Sequence, residues 1–373
     1  MKKLFVLCAA AIFVVAFTAP AFAAEWSFYG SARISSFWAN QDFGDGVGPS
    51  GTDDDSGLAA GHAFDIQGNS RIGAKVKVSD NLTGNFEYGS TPNLRLLWGE
   101  YDFGGFKLGV GQEYVPICMF YSAAAYGPDN NLLDVGGVYV GRDPMVQAKF
   151  GGFKIALVKP NVSDIDPIEE TTTWPLGVET TVTEGLVADT DVTLPAIMAS
   201  YDFKVAGLGI KVAGGYQTYK VVNAADEDDD VNAYMVAIGG SYNMGPLYIG
   251  ADYWMGTNTG NLGQATFGFA PDISAGVDAD GVLDNKSYGF LAVVGFTLSD
   301  MLYFEAGYGF ASGDLDDADS KDETSAYYLQ AKVNLAKGVF IVPEIGHYDL
   351  KDDSAGDDQG DVTYYGLKWQ ISF

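Results

Sequence analysis

Hydrophobic and polar residues alternate along most of this chain with a period of two. In the stretch 64–78, Phe64, Ile66, Gly68, Ser70, Ile72, Ala74, Val76 and Val78 share one parity, and Asp65, Gln67, Asn69, Arg71, Lys75 and Lys77 share the other. The stretch 26–35 repeats the pattern, with Trp26, Phe28, Ala32 and Ile34 against Ser27, Ser31, Arg33 and Ser35. A period of two places successive side chains on opposite faces of a β-strand, and segments of about ten residues recur in this form. No mature segment carries a helical period. The prediction is an all-β fold.

The connections between segments are of two kinds. Tight turns fall at residues 79–81, 104–105, 151–152, 206–207, 244–246, 299–300 and 336–338. Between them lie long, acidic stretches at about 40–63, 116–143, 160–192, 222–231, 257–286, 313–324 and 350–361; only the connection around Thr91-Pro92-Asn93 is short. Seven tight turns and eight outer loops predict sixteen strands. Short turns on one side and long loops on the other are the pattern of a transmembrane antiparallel β-barrel, and an even count brings the first and last strands together. In hydrocarbon every backbone N–H and C=O needs a partner, so the sheet must close. Sixteen strands enclose more space than side chains can fill, which calls for a polar inner face. Asp65, Gln67, Arg71 and Lys75 supply one.

Composition narrows the choices further. The 373 residues include 21 Lys+Arg and 49 Asp+Glu, for a net charge of −28, which opposes a nucleic-acid partner. A hydrophobic content of 47 % with 14 % aromatic residues argues against a disordered acidic chain. Met1-Lys2-Lys3, the apolar run from Leu4 to Phe17 and Ala21-Phe22-Ala23 read as a signal peptide over 1–23, leaving a barrel domain over 24–373. Its removal takes two of the 21 basic residues and none of the 49 acidic ones, so the net charge becomes −30. Cys118 is then the single cysteine, expected to be buried and apolar, with no disulfide framework.

The last strand is distinctive. Thr363, Tyr365, Leu367, Trp369, Ile371 and the terminal Phe373 share one parity, against Val362, Tyr364, Lys368, Gln370 and Ser372. A chain that ends on Phe after alternating apolar and aromatic residues resembles the strand by which outer-membrane proteins are recognised for assembly. Tyr365, Leu367, Trp369, Ile371 and Phe373 are therefore the expected contacts of the barrel-assembly machinery.

On these features the chain resembles the general bacterial porins, sixteen-stranded trimeric diffusion channels of the outer membrane. The best local stretch is RLLWGEYDFGGFKLGVGQEYVP at 95–116, similar to the family's fourth and fifth strands running into the third loop. The resemblance implies that this loop, 116–143, folds into the lumen and sets its carboxylates against a basic wall. Asp129, Asp134 and Asp143 are the loop's acids, with Glu113 and Lys107 just before it. The wall candidates are Arg33, Arg71, Lys75 and Arg95. Physics alone places such charges in the lumen, because an Arg facing lipid near the midplane costs roughly 2–4 kcal/mol. The very short second loop departs from the family, in which that loop latches onto a neighbouring subunit, and the third loop lacks the family's acidic Gly-rich tip.

The remaining acidity lies in the outer loops. Clustered carboxylates are hard ligands for Ca²⁺ or Mg²⁺. Asp226, Asp228, Asp230, Asp278 and Asp280 are the weak candidates, and such ions would bridge the loops to lipopolysaccharide. No other cofactor is expected. The spacing of His347 and Asp349 meets too few requirements for catalysis. The expectation is a channel for passive diffusion of ions and small hydrophilic solutes in the outer membrane, mildly cation-preferring because of its acidic vestibule, and a homotrimer. The alternatives are a channel specific for an organic acid, or a plugged structural or adhesive barrel with Ca²⁺-binding loops.

Overall fold

A computed structural model describes residues 24–42, 59–90, 93–162, 171–174, 177–180, 189–222, 228–278 and 281–373. The expected signal segment 1–23 lies outside the described residues, as do Asp226 and Asp280. Among the described residues, eighteen hydrogen-bonded segments form one sheet that makes sixteen barrel strands, because two strands are interrupted. They are β1 (Glu25–Asp42), β2 (Ala59–Ile66 and Arg71–Lys77), β3 (Leu82–Gly89), β4 (Leu94–Asp102), β5 (Lys107–Tyr114), β6 (Arg142–Phe150), β7 (Phe153–Val158), β8 (Asp189–Asp191 and Ala196–Val205), β9 (Leu208–Val222), β10 (Asp228–Met244), β11 (Leu247–Thr257), β12 (Asn285–Thr297), β13 (Leu302–Leu315), β14 (Asp322–Ala336), β15 (Val339–Leu350) and β16 (Asp361–Ser372). Each pairs antiparallel with the next, and β16 closes on β1 from Ser31↔Ser372 to Asp42↔Asp361. Phe373 extends the seam by exchanging two backbone hydrogen bonds with Gly30, at 2.8 and 3.0 Å. All seven predicted turns join strands where expected.

The break in β2 preserves parity. Opposite β1 the register passes from Ile34↔Ile66 to Ser31↔Arg71, which inserts two extra residues, an even number. Ile66 and Ile72 therefore both face outward, 53 % and 58 % exposed. Ser70, expected on that apolar face, instead sits in the ladder. Its Oγ accepts from Arg33 N at 3.0 Å, in place of the ladder bond the insertion removes, and donates at 3.1 Å to Arg33 O, which also accepts from Gln67 N at 3.0 Å. His62, expected in the first outer loop, belongs to β2 and stacks on Trp38 at 4.2 Å.

The outer surface carries the apolar parity. On β10, Tyr234, Val236 and Ile238 point outward and are about half exposed. Aromatic rings band both rims. Phe103, Phe106 and Phe150 stack at 4.9 and 5.7 Å by the short turns, and Tyr365 stacks on Trp38 at 5.6 Å near the long loops. Such girdles hold a barrel at the two headgroup levels.

The inner surface is not uniformly polar. Ala233, Met235 and Ala237 face inward on β10 and are buried, because inturned loops cover them. The third loop (115–141) contributes Ile117, Met119, Val138 and Val140 to this core, together with the free, buried Cys118. The sixth loop (258–284) adds Leu262 and Ile273. Gln264 of the sixth loop grips the third from both sides, donating to Gly137 O at 2.8 Å and accepting from Tyr139 N at 3.1 Å. The lumen is thus narrowed by two loops, of which the resemblance implied one.

Candidate pore constriction

The tip of the third loop is a short helical turn, α1 (Tyr126–Asp129), followed by a tight reversal. Asp129, Asn131 and Leu132 all have positive φ, at 57°, 60° and 52°. Left-handed backbone at non-glycine residues costs roughly 1–2 kcal/mol each. Two buried wall carboxylates offset this by accepting loop N–H groups. Glu305 on β13 takes Ala123 N at 2.7 Å, while Glu344 on β15 takes Ala125 N at 2.7 Å and Tyr126 N at 3.0 Å. Hydrogen bonds to charged groups contribute about 1.5–3 kcal/mol each. Tyr328 and Tyr364 donate to the same two carboxylates, at 2.5 and 3.1 Å, which fixes their orientation.

The turn delivers Asp129 to the adjoining stretch of wall, where β16 follows β15 and closes on β1. There it pairs with Arg33 on β1 and with Lys368 on β16, the latter at 2.7 Å, and accepts from Gln67 at 3.3 Å. Arg33 and Lys368 are neighbours across the seam, since their strands pair as Arg33↔Gln370 and Ser35↔Lys368. Along the same wall, Glu87 on β3 joins Arg71 at 3.4 Å and Arg95 at 2.7 Å. Arg95 also reaches the Tyr114 hydroxyl at 3.4 Å, and the Arg142 guanidinium lies 5.5 Å from the centre of the Tyr114 ring. Arg33, Arg71, Arg95, Arg142, Lys368 and Asp129 line one lumenal cavity of about 630 Å³.

The structure therefore brings Arg33, Arg71, Arg95 and Asp129 together and leaves other expected members elsewhere. Lys75 and Glu113 line a separate cavity of about 510 Å³. Lys107 contacts Glu100 at 3.3 Å and Asp102 at 3.9 Å, beside the turn that follows β4. Asp143, opposite Glu113 in the β5–β6 ladder, lies in β6 rather than in the loop. Asp134 is 2 % exposed, under Phe269 of the sixth loop, and one of its oxygens has no partner. Burial pushes its carboxyl up to about 7, the reverse of what an acid facing a basic wall experiences. Lys368, Glu87 and Arg142 join the site without having been expected there. Lys368 already carried inward parity in the sequence, whereas Arg142 sits at a loop-to-strand boundary where parity gives no direction.

Of the acidic candidates, Asp228 opens β10 and pairs with Lys220 on β9, and Asp278 in the sixth loop accepts from Gly281 N at 3.0 Å. Among the described residues, no three potential metal ligands converge.

A closed sixteen-stranded barrel with a lipid-facing apolar belt and a charged lumen narrowed by its third loop defines an outer-membrane channel. The sequence model for Gram-negative porins matches residues 9–353, so the chain belongs to that family. No curated protein matches the chain. Among solved structures it is similar to the outer membrane channel DcaP of Acinetobacter baumannii, at 16 % identity and a TM-score of 0.69, covering 94 % of this chain and 97 % of that one. It is also similar to the anion-selective porin of Comamonas acidovorans, at 12 % identity and 0.59, covering 94 % and 100 %. Salmonella typhi OmpF gives 15 % identity and 0.58, covering 93 % and 97 %. At these identities the likeness is one of fold. Family and fold place the protein in the outer membrane.

Proposed function

We propose that this porin is a passive diffusion channel for small hydrophilic solutes whose narrow zone favours anions. The observation that carries the reading is the charge balance of the constriction. Five cationic side chains and one carboxylate, Asp129, line its cavity, with Glu87 behind two of the arginines. The acidic outer loops act in the opposite sense, and they led to the expectation of a cation preference. Charges at the outer rim are screened over about 8 Å at physiological salt, whereas fixed charges at a constriction act on every ion that passes. The deeper field therefore dominates. A homotrimer belongs to the same reading, supported by the porin resemblance and by the aromatic outer faces of β1 and β16, with Trp38 against Tyr365. So do recognition of the last strand by the assembly machinery and contact of the acidic loops with lipopolysaccharide through divalent cations.

Single-channel recording in a planar bilayer under a KCl gradient tests the proposal. Ohmic steps in triplets with a reversal potential on the anion side are expected. A reversal potential on the cation side would overturn the selectivity, and an absence of steps would point to a plugged barrel.

A further inference from the structure

We infer that the constriction is a binding site for aromatic carboxylates, a reading that rests on the anion preference proposed above and names the solute class it serves. Two phenylalanines carry the argument. Phe120 of the third loop is 46 % exposed and Phe267 of the sixth is 44 % exposed, and both line the arginine cavity inside the barrel rather than the lipid face. Single exposed apolar residues are common on protein surfaces, but these come from different loops and converge. Each ring lies 6.1 Å from that of Tyr139, and Phe120 packs edge-on against Tyr114 at 5.2 Å. The result is an apolar shelf built across both inturned loops and facing water.

Beside the shelf stands an unused donor. The Arg142 guanidinium rests on the Tyr114 ring, and its Nη1 is buried with no hydrogen-bond partner. A buried guanidinium N–H is costly to leave unpaired and matches a carboxylate oxygen in charge and geometry. The cavity, about 630 Å³, falls in the range of small-ligand sites. A solute with a carboxylate at one end and a ring at the other satisfies both halves, the oxygens on Arg142 and the ring on Phe120 and Phe267 in edge or offset contact. An aliphatic acid uses only the arginine, and a neutral aromatic uses only the shelf.

The test compares benzoate, acetate and benzamide as blockers of KCl conductance through the intact channel. Benzoate is expected to reduce conductance at a concentration roughly tenfold below either of the others, as the added contact of a buried ring implies. In the Phe120→Ala, Phe267→Ala double variant the benzoate-to-acetate potency ratio is expected to fall to about one. Equal potency of benzoate and acetate in the unaltered channel overturns the aromatic site, while an anion-side reversal potential in the same recordings leaves the selectivity reading standing. Benzamide as potent as benzoate overturns the role of the arginine. A reversal potential on the cation side overturns both readings together. The comparison of solutes needs no variant, so a folding defect cannot mask the outcome.

Discussion

Arg95 and Glu87 meet across a β-bulge, with Nε 2.7 Å from the carboxylate and both side chains about 5 % exposed. The β3–β4 register slips between Glu87↔Leu96 and Tyr88↔Leu94, leaving Arg95 as the extra residue. By strict alternation Arg95 shares the outward parity of Leu97 and Tyr101; the bulge turns it into the lumen instead. Gln112 on β5 serves the disturbed backbone, donating to Leu94 O at 2.7 Å and Arg95 O at 3.3 Å.

Glu87 is the shared counterion of Arg71 and Arg95, and Tyr29 also donates to it at 3.0 Å. Glu87→Gln keeps the shape and removes the charge. Its expected effects are a reversal potential moved further to the anion side and a loss of about 3–5 kcal/mol in barrel stability, the usual cost of stranding a buried charge. Bi-ionic potentials and urea unfolding followed by the gel shift of the folded barrel measure the two. An unchanged reversal potential would show that Glu87 is too deep in the wall to act on passing ions.

The strand count, the turns and the inward parity of Arg33, Arg71 and Lys368 were legible in the sequence because alternation is a local rule. The bulge at Arg95 was not, since one extra residue in a ladder depends on the neighbouring strand. The insertion in β2 is illegible for a different reason: two extra residues leave parity intact, and within 64–78 it is Ser70 that leaves the face alternation assigns it. The inturned sixth loop was illegible because its polar residues, Gln264 and Asn261 among them, resemble any solvated loop. Their partners, Gly137 O for Gln264 and the Tyr219 hydroxyl and Ala275 N for Asn261, are set by tertiary structure. The burial of Asp134 follows from the same loop, which covers it.

The wall carboxylates should decide whether the third loop is rigid. Glu344→Ala removes the acceptor for Ala125 N, Tyr126 N and the Tyr364 hydroxyl at once. The expected result is a destabilisation of about 2–4 kcal/mol, with open-channel current noise raised as the loop tip samples more positions. Glu344→Gln, which keeps one carbonyl acceptor, is expected to fall between. Quiet currents in the alanine variant would mean that Glu305, through Ala123 N, and the pairs of Asp129 with Arg33 and Lys368 are enough to hold the tip.

At the seam, Phe373 both pairs with Gly30 and lays its ring over it; a Cβ on Gly30 would meet that ring at 2.7 Å. Deleting Phe373 removes two backbone hydrogen bonds and an outward ring. The amount of folded barrel in the outer membrane should then fall several-fold, read from the heat-shifted gel band. Gly30→Ala displaces the end of the Phe373 side chain and brings the new Cβ to 3.2 Å from Arg71 O, so a modest loss of about 1 kcal/mol is expected. A similar loss in both variants would show that the ring contact, rather than the terminal strand, sets assembly.

Asp134 gives the loops a dependence on pH. Its carboxyl is held near 7 against 3.8 in the open chain, because burial beneath the sixth loop disfavours the charged form and, among the described residues, no ion pair compensates it. The folded state therefore binds this proton more tightly than the unfolded state does. The contribution is fully present below about pH 4 and is lost as pH rises through about 7, where the ionised carboxylate sits between two loops with hydrogen bonds but no counter-charge. The difference amounts to at most ~4 kcal/mol. Asp134→Asn is isosteric and uncharged, so it should stabilise the barrel at pH 8 and leave stability at pH 4 nearly unchanged. Urea unfolding of both proteins across pH 4–8 measures this directly. Parallel curves would show that Asp134 gains a partner when it ionises, with the sixth loop moving to supply one.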